Sequence, residues 1–247
     1  MAIPYRQMIF ASLLMVGGVW VCEVVGFDLW LQDRLFDIHS QQWLLDRHNA
    51  LLRTVFYDGP KRLLAFAALA LLLVLIVTRR AQRWPRFRPA MWLLFWSMVL
   101  VPAVTTSLKN VTNVACPADL VRYEGDLPYV RVYESYPKGQ YPSSRQRCFP
   151  AGHASGGFAL LALFYLPLSK RRRYVLLAVG FAAGSIMGGY KMLIGHHFLS
   201  HTIATACLSW FLIHLMLAMG SAKWRNVILG IERPLERRRE LHPLVQS

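Results

Sequence analysis

Apolar residues along this chain fall in long unbroken runs, not in period-two alternation. Six runs approach the length of a membrane crossing: about Met8–Phe27, Leu63–Val77, Ala90–Leu108, Ala154–Leu168, Tyr174–Ile194 and Thr202–Gly220. A hydrocarbon core about 30 Å thick takes about 20 helical residues to cross. In lipid each backbone N–H and C=O must be paired within its own segment, and nothing here alternates as a barrel strand would, so the pattern predicts helices. The second and fourth runs are short, and residues such as Lys61, Arg62 and Gly152 are expected to complete them. The first run lacks a small-residue cleavage site and reads as a retained helix. The expectation is an all-α, polytopic membrane protein with six transmembrane helices in a single domain over residues 1–247.

Composition agrees with that pattern: 55% of the 247 residues are hydrophobic and 17% charged, which argues against a water-soluble enzyme. The net charge of +15 does not point to nucleic acid, because the basic residues bunch at the ends of apolar runs and form no groove interleaved with aromatics. Arg6, the cluster Arg79, Arg80, Arg83, Arg86 and Arg88, the run Lys170 to Arg173, and the basic tail 221–247 lie on one side of the membrane. Segments 28–62 and 109–150 lie on the other, with nearly balanced charge. The positive-inside rule then places both termini in the cytoplasm and the long loops outside, in the periplasm if the location is a bacterial inner membrane. That compartment permits disulfides. Cys116 and Cys148 bracket the outer loop and are candidates for a bridge, with two free thiols as the alternative; Cys22 and Cys207 read as packing residues.

Groups that titrate or bind phosphate gather at the outer ends of the last four runs: Lys109, then Cys116-Pro117, then Cys148 to Ser155, then Tyr190 to His201. Pro150-Ala151-Gly152-His153 opens a helix with free N–H groups and little side-chain bulk at Ala151 and Gly152, a seat for an anion, and His153 in the first turn can protonate a leaving oxygen. His197 and His201 are four apart and share a helix face, so one imidazole can orient the other. Glu23, an intramembrane acid, suggests either a structural pair with Arg53 or Lys61 or a part in proton delivery. His214 reads as a packed, hydrogen-bonded side chain.

These blocks resemble the type 2 phosphatidic acid phosphatase superfamily, whose signature is K-x6-R-P, then P-S-G-H, then S-R-x5-H-x3-D. Lys109 with Cys116-Pro117, Pro150 to His153, and Tyr190-Lys191 with His197 and His201 keep its spacing. The resemblance implies six helices, with the site at the outer ends of helices 3 to 6. It also implies His197 as a nucleophile forming a phosphohistidine, His153 as the acid, and Lys109, Lys191 and the Ala151 and Gly152 amides as phosphate ligands. The catalytic set would be His197, His153 and His201, with no metal or other cofactor. Its bacterial members act on polyprenyl pyrophosphates, glycerophospholipid phosphates such as phosphatidate, and the phosphates of lipid A; either water or a second lipid would accept the phosphoryl group.

The chain departs from the signature at four positions: Cys116 for arginine, Ala151 for serine, Lys191 for arginine and His201 for aspartate. Arg122, Arg131, Arg145 or Arg147 of the outer loop are candidates to replace the missing guanidinium, and the tyrosine-rich loop is a candidate cap for a headgroup. Two other readings compete. One is a catalytically weakened scaffold that binds or transports lipid. The other is a metal-dependent oxidoreductase using His153, His196, His197 and His201.

Overall fold

In the computed structural model the described residues are 2–79 and 84–229. Arg80 and Arg83 of the cluster 79–88 and the tail from 230 onward lie outside them. Helix α1 runs from Ala2 to Val24 and stops at Gly26, whose φ of 81° admits the left-handed turn into α2 (Phe27–Leu35). A short antiparallel hairpin follows, β1 (Phe36–Asp37) with β2 (Gln42–Trp43). Its turn is closed by the Asp37 carboxylate, which accepts from the His39 N–H and the Ser40 hydroxyl. Helix α3 (Ala50–Arg53), capped by the Asn49 side chain, a π-helical turn (Thr54–Asp58) and α4 (Gly59–Val77) then form one continuous rod.

Helix α5 (Arg88–Thr112) ends at Asn113, which adopts the left-handed conformation. Helix α6 (Gly152–Ala159) tightens into a 3-10 segment, Leu160–Tyr165, and is followed by α7 (Lys170–Leu193), α8 (Leu199–Met219) and α9 (Ala222–Leu229).

Among the described residues, five helical stretches are long and apolar enough to cross a bilayer: Ile3–Val24, Ala50–Val77, Arg88–Asp119, Lys170–Leu193 and Leu199–Met219. The remaining expected run, 154–168, is the α6 and 3-10 segment. Eight residues at 1.5 Å and six at 2.0 Å give it about 24 Å, and Pro167 disfavours a helical conformation at Leu166, where the segment ends. Large apolar side chains such as Leu13, Val16, Phe66 and Val77 face outward, which suits lipid as the surrounding solvent.

Helix α1 packs along α8, α6 and its 3-10 extension along α7, and α5 against both α6 and α8. The α6–α7 approach depends on glycine: a Cβ on Gly157 would collide with the backbone at Gly184, and one on Gly184 with the Phe158 ring. Buried hydroxyls bond carbonyls within this bundle, as Ser97 does to Ala159 at 2.8 Å. His214 lies among them, 2.5 Å from the Tyr165 hydroxyl and 2.8 Å from the Trp210 carbonyl.

The loop between α5 and α6 folds down on α2 and the hairpin. Tyr123 meets Phe36 and Trp43, and Tyr129 meets Phe198, so these two rings serve a small core instead of capping an open headgroup. Glu23 does not pair with Arg53 or Lys61; it is 4% exposed and accepts from the Val132 N–H of this loop. The loop folds over the C-terminal end of α1 and reaches the carboxylate first.

Candidate active site

Five helix ends converge on one side of the bundle: the start of α4, the end of α5, the start of α6, the end of α7 and the start of α8. They bring Lys61, Lys109, Gly152, His153, Lys191, His197 and His201 into one neighbourhood. The Cys116–Cys148 disulfide ties the segment after α5 to the segment before α6. The Cys148 N–H donates to the Val114 carbonyl and the Thr112 hydroxyl to the Phe149 carbonyl, so Lys109 and the α6 N-terminus are held in register.

Lys109 lies across the first turn of α6: a Cβ at Gly152 would stand 3.5 Å from its Nζ. The N–H groups of Gly152 and His153 open the helix and have no acceptor within it. The Ala151 amide differs from expectation. It precedes the first helical residue and donates to the His201 carbonyl at 3.2 Å, so it is committed to the backbone and does not face a ligand.

The three imidazoles form a chain. His153 Nδ1 is 3.2 Å from His197 Nε2, and His197 Nδ1 is 3.5 Å from His201 Nδ1. His201 also has a hydrogen-bond partner in the Cys148 backbone. If His201 is neutral and its other nitrogen donates there, Nδ1 is left as an acceptor for a His197 Nδ1–H, and His197 Nε2 keeps its lone pair toward His153. His197 and His201 are each 1% exposed. Burial and the neighbouring His153 and His201 hold the His197 imidazole well below the ordinary histidine range, so it is neutral at physiological pH. Burial and Lys191 hold His196 down to about 4. The turn that presents these residues contains Gly195, with φ 72°, where a Cβ would strike the Trp43 ring.

A cavity of about 410 Å³ opens beside this chain, with Tyr57, Lys61, Lys109 and His153 among its polar lining and Ala68, Met98 and Pro102 among its apolar lining. His153 lines it and His197 stands behind His153. Tyr57, in the π-helical turn, joins several of these groups: its ring packs edge-on to His153 at 4.7 Å, with Lys191 Nζ 4.6 Å and Lys61 Nζ 5.8 Å from its centroid. Neither Tyr57 nor Lys61 is assigned a site role by the sequence motifs. The only hint was a lysine at the apolar run's outer end.

The loop arginines do not supply the missing guanidinium. Arg122 makes a bidentate pair with Asp33, both contacts 2.7 Å, Arg131 pairs with Glu134, and Arg145 donates to the Val111 carbonyl. Arg147 is exposed and does not line the cavity. The folding of the loop onto α2 draws the first of these away. Cys148 Sγ and the nitrogens of His197 and His201 lie within 4.8 Å of one another, a spacing open to a metal ion, but the disulfide leaves Cys148 without a thiolate to offer.

No curated protein and no solved structure matches the chain. The family model described as the PAP2 superfamily matches residues 90–225, more than half of the sequence, from the first turn of α5 through α8. The chain therefore belongs to the PAP2 superfamily, the phosphatidic acid phosphatase type 2 group of phosphatases and phosphotransferases.

Proposed function

We propose that this protein removes or transfers the phosphoryl group of a membrane lipid phosphate or pyrophosphate through a phosphohistidine on His197. The observation that carries the proposal is the imidazole chain beside a cavity whose cationic end continues into an apolar wall. A lipid phosphate has the same two-part chemistry, with a dianionic head on an apolar tail.

In the first step the His197 Nε2 lone pair attacks phosphorus and the bond to the leaving oxygen breaks. Burial, Lys191 and Lys109 hold the His153 imidazole down to about 2; the bound dianion opposes these effects, and His153 once protonated gives that oxygen its proton. His153 stands between His197 and the cavity, so its ring must turn aside as the phosphoryl group enters. In the second step His153 takes a proton from water or a lipid hydroxyl, that oxygen attacks phosphorus, and the P–N bond breaks. Lys109 and Lys61, which line the cavity, and the Gly152 and His153 amides balance the equatorial oxygens. Lys191 adds positive potential from the Tyr57 ring, so the chemistry is electrostatic positioning and requires no metal.

The basic starts of α5 and α7 and the opposite position of the site support cytoplasmic termini and a site on the outer face, periplasmic in a bacterial inner membrane. The test is phosphate release from purified protein given a panel of polyprenyl pyrophosphate, phosphatidate, phosphatidylglycerol phosphate and lipid A phosphates. His153→Ala and His197→Ala are each expected to lose at least about a hundredfold. Activity equal to wild type in both refutes the mechanism. Labelled phosphate trapped on His197 separates it from a binding-only scaffold.

A further inference from the structure

The family match begins at residue 90, yet the segment before it grips the turn that carries His197 at two points. Gln32 Nε2 donates to the His197 carbonyl at 2.7 Å, and Asp28 Oδ1 accepts from the Ser200 N–H at 3.0 Å. Asp28 and Gln32 stand four apart on α2, hence on one face, and are 1% and 0% exposed. Phe198, the N-cap of α8, has no side-chain oxygen for the exposed N–H groups of that helix. Asp28 supplies one from another element; burial pushes its carboxyl above the usual range, so the acceptor oxygen and not a full charge is what it brings. Helix α2 is itself held by Asp33, through Arg122 and the Tyr123 hydroxyl.

Resting on the phosphohistidine mechanism above, we propose that Asp28 and Gln32 are positioning residues for the nucleophile. Gln32 fixes the peptide that follows the His197 side chain, and Asp28 fixes the first turn of α8, which carries His201. Together they set the direction of His197 Nε2 toward His153 and of Nδ1 toward His201. The Ala118 N–H bonds the Gly195 carbonyl at 2.9 Å and the Leu45 N–H the Leu193 carbonyl at 3.2 Å, which holds the start of the connection between α7 and α8; Gln32 and Asp28 hold the part that carries His197 and enters α8. Displacement of a reacting atom by about 1 Å can cost about a hundredfold in rate, so the two hydrogen bonds act on turnover more than on substrate affinity.

The test uses full-length protein and the most active substrate of the panel, with orthovanadate as a probe of the nucleophile. Gln32→Met keeps the side-chain length and removes the donor; Asp28→Leu removes the acceptor; Asp28→Asn keeps an acceptor oxygen. Gln32→Met and Asp28→Leu are expected to lower kcat about tenfold or more with KM within about twofold, and to weaken vanadate inhibition in proportion. Asp28→Asn is expected to stay within about threefold of wild type. Unchanged kcat in Gln32→Met and Asp28→Leu, or a loss confined to KM, overturns the proposal, as does Asp28→Asn as impaired as Asp28→Leu. Should Gln32→Met not fold, the Asp28 pair decides alone. His197→Ala is measured alongside: if it stays active the mechanism has failed, whereas an inactive His197→Ala with active positioning variants removes only the role given to α2.

Discussion

Replacing His201 by aspartate tests the polarity of the imidazole chain. An aspartate Oδ and a histidine Nδ1 both lie two bonds beyond Cβ, so His201→Asp places a carboxylate oxygen where Nδ1 now stands, 3.5 Å from His197 Nδ1. A full pair of charges at that distance is worth about 4.7 kcal/mol at an effective dielectric of about 20, and an opposite charge this close usually moves a pKa by about 1–3 units. The sign follows from the protonation state. The anion favours the imidazolium, so the His197 pKa rises from its depressed position.

In the wild type, burial and the adjacent imidazoles keep His197 neutral well below pH 6.5, so the acid limb of kcat/KM attributable to this base lies below that pH. His201→Asp should move that limb upward by about 1–3 pH units. It should also raise the fraction of enzyme trapped as phosphohistidine, because the phosphorylated ring carries positive charge. Burying a carboxylate at a site 1% exposed, with loss of the ring contacts to Phe149 and Phe198, should lower stability by about 1–3 kcal/mol. His201→Asn reaches the same point without charge and should leave the limb in place. The assay is initial rate against pH on variants shown to be monodisperse. A limb that stays put in His201→Asp refutes the adjacency of position 201 to the titrating nucleophile.

Two further outcomes follow from the same geometry. Lys61→Met should raise KM and lower kcat/KM about tenfold, since Lys61 lines the cavity, while Arg145→Met, engaged with the Val111 carbonyl, should change kcat/KM less than twofold; equal effects would remove Lys61 from the phosphate seat. Replacing Cys116 and Cys148 by serine opens a loop closed across 32 positions, which in the chain-entropy model costs about 3–4 kcal/mol. It should lower the unfolding midpoint and reduce kcat together, and unchanged thermal stability would show that the loop is held by its aromatic core alone.

Apolar runs were enough to locate the five long helices because lipid leaves the backbone few alternatives. They misjudged the ends. Helix α4 continues backward through the π-helical turn and α3, whose residues are too polar to count as a span, and the run expected over 154–168 tightens into 3-10 turns before Pro167. Helix α2 and the hairpin were not legible. Their stability rests on Phe36, Trp43 and Tyr123 meeting across the chain, and local propensity does not register such contacts. The site divides the same way. Lys109, His153, His197 and His201 were readable from spacing, whereas Gln32 and Asp28 bond partners 165 and 172 positions away. The Ala151 amide was misassigned because helix-end geometry alone cannot say that another helix has reached it first.

The two charged departures from the superfamily signature offset each other. Cys116 removes a cation where the pattern has arginine, and His201 removes an anion where it has aspartate, so the motif side chains keep the net charge of the pattern. Neutral His201 still gives His197 an acceptor for its tautomer but no counter-charge, and a guanidinium added at position 116 would stand in a site without its balancing carboxylate. Lys61 contributes its charge from the exposed start of α4, where solvent and headgroup screen it from His197. Restoring the aspartate alone therefore adds an anion for which the site lacks its matching cation. This is why His201→Asp is expected to shift the pH profile and hold the phosphoenzyme longer without raising turnover at neutral pH.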